Sequence, residues 1–229
     1  MQLRRGVTSQ RRPVRLGLGS VTLDGDLTVP SGAGAIVVFV HGSGSSRRSP
    51  RNRAVPEGLQ AAGLATLLMD LLTPGEEAVD VQTARLRFDI PLLAGRVVAA
   101  TEWIGRHLGP WRLGYFGAST GAAAALMAAA ERPDRVGAVV SRGGRPDLAA
   151  GALSRVQAPT LLIVGAADPV VLELNLEASN ALRTEKRLEV VPGAGHLFEE
   201  PGALERVTSL ARDWFVRHLA APLEVRRAG

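Results

Sequence analysis

A serine in a glycine-flanked turn is the strongest chemical signal in this sequence. Ser119 is the centre of the pentapeptide Gly-Ala-Ser-Thr-Gly at residues 117–121, between an apolar run and an alanine-rich run. A strand, a sharp turn and a helix in this order present a serine hydroxyl at the top of a sheet, where it can act as a nucleophile. Such pentapeptides also occur as plain turns, so the rest of the chain must supply the partners that a nucleophile needs.

A serine hydroxyl needs a base before it can attack, and the chain contains four histidines. His107 and His218 fall in the last turns of predicted helices, where a cation suits the helix dipole. His41 opens a glycine-rich loop, and we interpret it as a residue that orients this loop. His196 lies in a flexible loop after the last predicted strand, and we therefore expect His196 to be the base.

Three aspartates follow predicted strands and are candidates for the carboxylate that orients the imidazole. Asp168 follows Ser119 and precedes His196, which is the chain order expected of a serine nucleophile in this kind of turn. Asp147 is the alternative, although it is equally suited to cap a helix. Asp70 precedes the serine in the sequence and fits less well, so the sequence favours Asp168.

A glycine-rich loop at residues 41–46, His-Gly-Ser-Gly-Ser-Ser, follows a β-branched apolar run. Acyl transfer passes through a tetrahedral oxyanion, and each backbone N–H aimed at it lowers the barrier by about 3 kcal/mol. The amides of Ser43 and Thr120 are the predicted donors, the second at a helix N-terminus that also favours negative charge. The loop lacks the motif spacing of a phosphate-binding loop, which disfavours that alternative.

The strands and helices that position these loops alternate along the chain. Residues 14–18 and 21–29 are predicted to form an antiparallel pair, with a turn signal at residues 23–26. Further strands are predicted over residues 35–40, 65–69, 113–116, 136–141, 160–164 and 187–191, and helices over residues 56–62, 90–107, 119–131, 148–155, 172–182 and 204–219. This alternation predicts an α/β fold with a doubly wound, mostly parallel sheet. Ligands of such sheets sit beyond the carboxyl ends of the strands.

Four loops in this order resemble those of the α/β-hydrolase superfamily: residues 41–44, 117–121, 165–169 and 195–196. The short chain is most similar to dienelactone-hydrolase-like proteins, which have a compact domain without a large cap. Dienelactone hydrolases use a cysteine nucleophile and this chain has no cysteine, so their substrate is not carried over. The resemblance implies a small serine esterase that cleaves carboxylic esters through an acyl-enzyme, with a triad of Ser119, His196 and Asp168.

Three arginines bear on the substrate, namely Arg87, Arg142 and Arg145. Guanidinium groups hold carboxylates bidentately, so one interpretation of these side chains is an anionic ester or lactone as the small-molecule substrate. In the alternative interpretation they pair with nearby acids, as most arginines do. These acids are Asp89, Asp147, Glu199 and Glu200. Two other functions stay open. The first is another reaction on the same triad, namely hydrolysis of a lactone, thioester or peptide, or acyl transfer. The second is a binding protein that has a hydrolase scaffold and no turnover.

Composition limits the remaining classes of function. A chain of 229 residues with 46% apolar residues predicts a basic arm at residues 1–15, one domain at residues 16–220 and a tail at residues 221–229. The net charge of +5 equals that of the five arginines in the arm, so the remainder is neutral overall. With 4% aromatic residues and no nucleic-acid motif, we expect no nucleic-acid partner.

Membranes, metals and cofactors are also not expected. No apolar run approaches the roughly 20 residues that a membrane span needs, and no apolar segment follows the basic arm as a secretory signal would require. The absence of cysteine removes disulfides and thiolate metal sites, and no His, Asp or Glu cluster has ligand spacing. The sequence therefore predicts a cytoplasmic protein without a cofactor or metal, and leaves its oligomeric state open.

Overall fold

Helices cover both faces of an eight-stranded sheet in the computed structural model, which describes residues 9–49 and 51–219. The strands are β1 (Ser9–Leu18), β2 (Val21–Pro30), β3 (Ala35–Val40), β4 (Ala65–Met69), β5 (Arg112–Ala118), β6 (Val136–Arg142), β7 (Thr160–Gly165) and β8 (Lys186–Val191). The helices are α1 (Arg51–Ala61), α2 (Pro74–Thr83), α3 (Ile90–Leu108), α4 (Thr120–Glu131), α5 (Ala150–Leu153), α6 (Pro169–Ala181) and α7 (Ala203–Leu219), with short 3-10 helices at Leu86–Phe88 and Pro146–Ala149.

The strands lie in the order β1-β2-β4-β3-β5-β6-β7-β8. Strand β2 is antiparallel to β1 and to β4, and every pair from β4 to β8 is parallel. The predicted α/β architecture with a mostly parallel sheet is therefore confirmed. Parallel strands end at one edge of a sheet, so the loops after β3, β5, β6, β7 and β8 meet there.

Burial on both faces explains why the central strands could be predicted. Every residue of β3 and β4 is buried, and the observed bounds match the predicted ones. One face packs against α3 and α4, while the other, which includes Phe39 and Phe116, packs against α1 and α7. A strand covered on both faces needs a continuous apolar run, which is the pattern that these segments show.

The predicted hairpin of β1 and β2 is confirmed, but its predicted turn is wrong. Residues 23–26 lie inside β2, and the chain reverses at Gly19 and Ser20, where Gly19 has a φ of 67°. Gly25 is a packing residue, because a Cβ on it would lie 2.9 Å from Leu16 Cδ1 and 3.2 Å from Leu67 Cδ1. The Asp-Gly pair thus reflects close packing across the sheet.

Helix α2 and the 3-10 helix Leu86–Phe88 are absent from the sequence prediction. Thr73 caps α2, because its Oγ1 accepts from Glu76 N at 3.2 Å while Glu76 Oε2 accepts from Thr73 N at 2.8 Å. Arg96 of α3 donates to Glu76 Oε1 at 2.6 Å and so joins the two helices. The reciprocal cap is a signal readable from Thr-Pro-Gly-Glu, so this helix was predictable.

The described part of the predicted basic arm belongs to the sheet. Residues 9–15 form the start of β1, at the edge of the sheet. Residues 1–8 of the arm and the tail at 221–229 lie outside the described residues, so the boundaries at 15 and 220 stay predictions. None of the helices in the described part of the chain is long and apolar enough to cross a membrane.

Candidate active site

Ser119 lies in the turn between β5 and α4 with an unusual backbone conformation. Its φ is 50° and its ψ is −123°, which is an unfavourable conformation for a residue other than glycine. Its N–H donates to Arg142 O at 3.2 Å, and its O accepts from Arg145 N and Ala122 N, both at 3.1 Å. Strain of this kind persists where the surroundings over-determine the conformation, and these hydrogen bonds hold the serine from both sides.

The glycines around Ser119 meet a steric requirement. A Cβ on Gly117 would overlap the backbone of Ala122, and a Cβ on Gly121 would overlap the carbonyl oxygens of Val40 and His41. Ala122 and the three alanines after it are fully buried. Helix α4 therefore lies close against β3 and β5, which only small residues at these positions permit.

His196 lies between Ser119 and Asp168 in one hydrogen-bonded line. Its Nε2 is 3.3 Å from Ser119 Oγ, and its Nδ1 is 2.7 Å from Asp168 Oδ2. A carboxylate at Nδ1 fixes the proton there and leaves the lone pair of Nε2 toward the serine. The side chains are 39% exposed for His196 and 16% for Asp168, so the carboxylate is the more enclosed of the two.

The loop that carries the histidine, between β8 and α7, is held at several points. Glu200 Oε1 accepts from Gly195 N at 2.9 Å. Phe198 is buried with a positive φ of 56°. The Arg142 guanidinium lies 5.6 Å from the centre of the Phe198 ring and donates to Leu197 O at 3.4 Å. Arg142 therefore joins the end of β6 to the histidine loop.

The two rival carboxylates have other partners. Asp147 forms a bidentate pair with Arg145, with distances of 2.8 Å from Nε and 2.7 Å from the terminal nitrogen. Asp70 accepts from both the backbone N–H and the guanidinium of Arg47. Of the three aspartates, Asp168 is the one that contacts the imidazole.

The predicted oxyanion donors are adjacent, but one of them is already engaged. Ser43 N donates to Thr120 Oγ1 at 2.9 Å. Thr120 is the first residue of α4, so its own amide has no intrahelical acceptor. The sequence prediction treated both amides as open, and it missed the side-chain contact because this contact joins residues 77 positions apart.

His41 links the glycine-rich loop to the end of β4, in agreement with its predicted orienting role. Its Nδ1 lies 3.0 Å from Gly42 O, and its Nε2 accepts from Leu71 N at 3.3 Å. Burial lowers the pKa of His41, against the opposing effects of the Gly42 hydrogen bond and the charges of Asp70 and Glu77. The ring is therefore neutral, with its proton on Nδ1.

Two cavities meet at the glycine-rich loop. A pocket of about 250 Å³ contains Ser119 and His196, and residues 42–45, Ala118, Arg142 and Leu197 complete its wall. A second cavity of about 310 Å³ shares residues 42–45 and is lined by α2 and α3 as well as by Thr120. The two cavities therefore adjoin along residues 42–45.

The three predicted substrate arginines have different surroundings. Arg142 lines the pocket of Ser119, whereas Arg145 is paired with Asp147 outside it. Arg87 lines the second cavity and pairs with Asp80, an acid that the sequence interpretation did not name. Of the three arginines, Arg142 is therefore the one that lines the pocket of Ser119.

Asp80 holds Arg87 through an extensive set of contacts. Its carboxylate accepts from the Arg87 side chain at 2.6 Å and from the backbone N–H groups of Leu86 and Arg87 at 2.7 and 3.0 Å. Burial raises the pKa of Asp80, but these hydrogen bonds outweigh it and leave the pKa lowered. Asp80 is thus an anion that fixes the 3-10 helix to α2.

Within residues 9–49 and 51–219, no group of three or more His, Asp or Glu side chains could hold a metal ion.

Comparisons with known proteins agree with this geometry. A family model of the alpha/beta hydrolase fold matches residues 35–158. The crystal structure of a dienelactone hydrolase from Anabaena variabilis is 58% identical, with a TM-score of 0.90, and the match covers 92% of this chain and 99% of that one. A cold-adapted esterase from an Arctic intertidal metagenomic library shares the fold, with a TM-score of 0.74 at 18% identity over 96% of this chain and 100% of that one.

A protein of Mycobacterium tuberculosis with the provisional name phosphoribosyl transferase is 56% identical over 211 residues, which are 91% of this chain. The chain spans about half the length of that relative, namely 47%. The family model, the dienelactone hydrolase and the strand–turn–helix around Ser119 all lead to one assignment. This chain belongs to the α/β-hydrolase fold family, as a dienelactone-hydrolase-like member.

Proposed function

We propose that this protein is a serine hydrolase that cleaves carboxylic esters, with Ser119, His196 and Asp168 as its triad. The observation that carries the proposal is the hydrogen-bonded line of 3.3 and 2.7 Å through these three side chains. Ser119 also has the strained backbone and the helix N-terminus that such a nucleophile needs. Membership of the hydrolase family supports the reaction class.

In the first half of the proposed reaction, Ser119 Oγ attacks the acyl carbon while His196 Nε2 takes its proton. Asp168 holds the imidazole in the correct tautomer and stabilises the imidazolium that forms. The developing oxyanion lies at the N-terminus of α4, where the Thr120 amide and the helix dipole favour negative charge. Collapse of the tetrahedral intermediate, with the proton of His196 given to the alcohol, leaves the acyl-enzyme.

In the second half, water takes the place of the alcohol. His196 Nε2 removes a proton from the water, and the resulting hydroxide attacks the acyl carbon of the ester to Ser119. His196 then returns this proton to Ser119 Oγ, the acid leaves and the free enzyme is restored. The protein's own residues therefore suffice for each step.

The test of the proposal is covalent labelling by a fluorophosphonate, which reacts with activated serines. We expect stoichiometric labelling of the wild type, and no labelling of Ser119→Ala at an unchanged thermal midpoint. Ser154, which lies at the end of α5, provides a matched control, because Ser154→Ala should be labelled as the wild type is. An unlabelled wild type, or equal labelling of Ser119→Ala, would refute the role of Ser119.

Other acyl chemistry on the same triad is the first alternative. Lactones, thioesters, peptides and non-water acceptors all lead to the same acyl-enzyme. A panel of matched ester, lactone, thioester and amide substrates with one acyl group would rank these reactions by kcat/KM. We expect the ester to rank first, and a higher kcat/KM on any other member would replace carboxylic ester hydrolysis as the proposed reaction.

The second alternative is a binding protein on a hydrolase scaffold, which would show no turnover and no labelling. The name phosphoribosyl transferase belongs to a relative of which this chain spans about half, so it gives no ground for assigning that reaction to this chain.

The cysteine-free composition is compatible with the proposed cytoplasmic location, and cell fractionation would test it.

An anionic substrate is proposed on the position of Arg142. Its guanidinium is largely buried, and of the three arginines singled out in the sequence it is the one that lines the pocket of Ser119. Arg142 also contacts the histidine loop, so its removal alters activity on every substrate. The informative quantity is therefore the ratio of kcat/KM for a carboxylate-bearing ester to that for its neutral isostere. We expect Arg142→Gln to lower this ratio at least about tenfold, and an unchanged ratio would refute the proposal.

A further inference from the structure

The side-chain hydroxyl of Thr120 occupies an unusual position at the candidate oxyanion site. It is buried, with the residue 3% exposed, and its oxygen accepts the hydrogen bond of Ser43 N–H at 2.9 Å. A hydroxyl has one donor hydrogen in addition to its acceptor lone pairs. Thr120 also lines the cavity of about 310 Å³ beside the glycine-rich loop, so its hydroxyl hydrogen is accessible to an acceptor that arrives with the substrate.

The location of the hydroxyl identifies that acceptor. The oxyanion of acyl transfer forms beside Ser119 and near the amide of Thr120, because that amide follows the nucleophile at the start of α4. The Ser43 amide, which would be the second donor, is directed at Thr120 Oγ1. Thr120 Oγ1 is therefore adjacent to both predicted amide donors, because it accepts from the Ser43 amide and belongs to the same residue as the other amide.

We propose that the Thr120 hydroxyl is a catalytic donor to the oxyanion and that Ser43 N–H acts through it. The inference rests on the proposed ester hydrolysis. Ser43 N–H donates to Thr120 Oγ1, and the hydroxyl hydrogen of Thr120 points to the substrate oxygen as its charge grows. Hydrogen bonds that follow one another in a chain polarise each other. The Thr120 hydroxyl is therefore a stronger donor when its oxygen accepts from the Ser43 N–H. No proton is transferred in this step, and Thr120 keeps its hydrogen throughout.

The competing arrangement makes a different prediction. If Ser43 N–H were the direct donor, the Thr120 hydroxyl would turn away when substrate binds and would contribute nothing to the transition state. Removing the hydroxyl would then leave the amide open, and activity would be kept or increased. If the hydroxyl is the donor, its removal costs one oxyanion contact, which lowers kcat about 10²- to 10³-fold.

Thr120→Val is the decisive variant, because valine replaces the hydroxyl by a methyl group of similar size. We expect a kcat about 10²- to 10³-fold lower than that of the wild type with little change in KM, because the contact forms in the transition state. Thr120→Ser keeps the hydroxyl and should stay within about tenfold of the wild type. A Thr120→Val enzyme with kcat within about threefold of the wild type would overturn the proposal. The thermal midpoint of each variant establishes that it is folded.

A second measurement needs no variant. It shows whether Thr120 donates to the oxyanion or only holds the glycine-rich loop in place. In a crystal structure of the wild type labelled by a fluorophosphonate, the phosphonyl oxygen stands where the oxyanion would be. We expect it within about 3.0 Å of Thr120 Oγ1. A phosphonyl oxygen bonded to Ser43 N, with Thr120 Oγ1 turned away from it, would overturn the assignment.

The two proposals fail in different ways. A wild type that neither turns over esters nor reacts with a fluorophosphonate would refute ester hydrolysis, and the role of Thr120 with it. A wild type that is labelled and active, together with an equally active Thr120→Val, would refute only the role of Thr120.

Discussion

Replacing Asp168 by asparagine tests the hydrogen-bonded line at its carboxylate. The carboxylate accepts from His196 Nδ1 at 2.7 Å, which keeps the proton on that nitrogen. An asparagine amide of the same shape can donate to Nδ1 instead. The proton of the ring then moves to Nε2, the atom that lies 3.3 Å from Ser119 Oγ, and a protonated Nε2 cannot accept the serine proton.

The size of the effect follows from this tautomer. The wrong tautomer lowers kcat about 10⁴-fold in serine triads of this kind. Each tenfold step corresponds to about 1.36 kcal/mol of barrier, so the loss is about 5 kcal/mol. The fold should be unaffected, because the asparagine fills the same space at the N-terminus of α6.

The assay is kcat for a chromogenic ester, measured for Asp168→Asn beside Asp147→Asn. Asp147 also follows a strand, but it pairs with Arg145, and these side chains are 26% and 38% exposed. A surface pair of this kind contributes about 0–1 kcal/mol to stability, so Asp147→Asn should keep kcat within a few-fold. Equal losses in the two variants, or an Asp168→Asn enzyme that keeps more than about a tenth of its kcat, would refute the reasoning.

Three further predictions concern stability. Gly121→Ala should lower the free energy of unfolding by about 1–3 kcal/mol or more, since its Cβ would overlap two carbonyl oxygens; a urea midpoint equal to that of the wild type would contradict this. The lowered pKa of His41 means that its neutral form stabilises the fold fully above pH 6.5 and that this stability falls as the pH drops toward the folded-state pKa. His41→Gln should remove this part of the acid dependence, and unchanged slopes of unfolding free energy against pH would count against it. Asp80→Asn should release Arg87 and speed proteolysis within residues 74–88, measured by mass spectrometry of the fragments, whereas equal cleavage rates would show that other contacts hold the segment.

The sequence predicted those elements whose patterns are local. Strands β3 and β4 were found with their bounds because a strand buried on both faces is apolar throughout. The turn around Ser119 was recognisable because strand and helix backbones that nearly touch tolerate little except glycine and alanine. The order of Ser119, Asp168 and His196 along the chain sufficed to place them together, since each follows a strand of one parallel sheet.

Contacts between distant segments could not be predicted in this way. Ser43 N–H and the Thr120 hydroxyl are joined only after β3 and β5 pair side by side, and no local pattern announces their contact. The pairing of Arg87 with Asp80 depends on the path of the chain between α2 and α3. The prediction of a turn at residues 23–26 was wrong for a related reason. Glycine is required at position 25 because side chains from neighbouring strands pack against it.

The basic start of the chain has a consequence for association between molecules. Strand β1 is ten residues long and lies at the edge of the sheet that the described residues form, where no strand of that sheet lies beside one row of its backbone N–H and C=O groups. Such an edge is a template for cross-molecular β-pairing and aggregation. Arg11, Arg12 and Arg15 lie along it, so an antiparallel pair formed with another copy would bring like charges together. Pro13 also offers no N–H to such a pair. The arginine charges and the proline therefore both disfavour the addition of further molecules to this edge of the sheet.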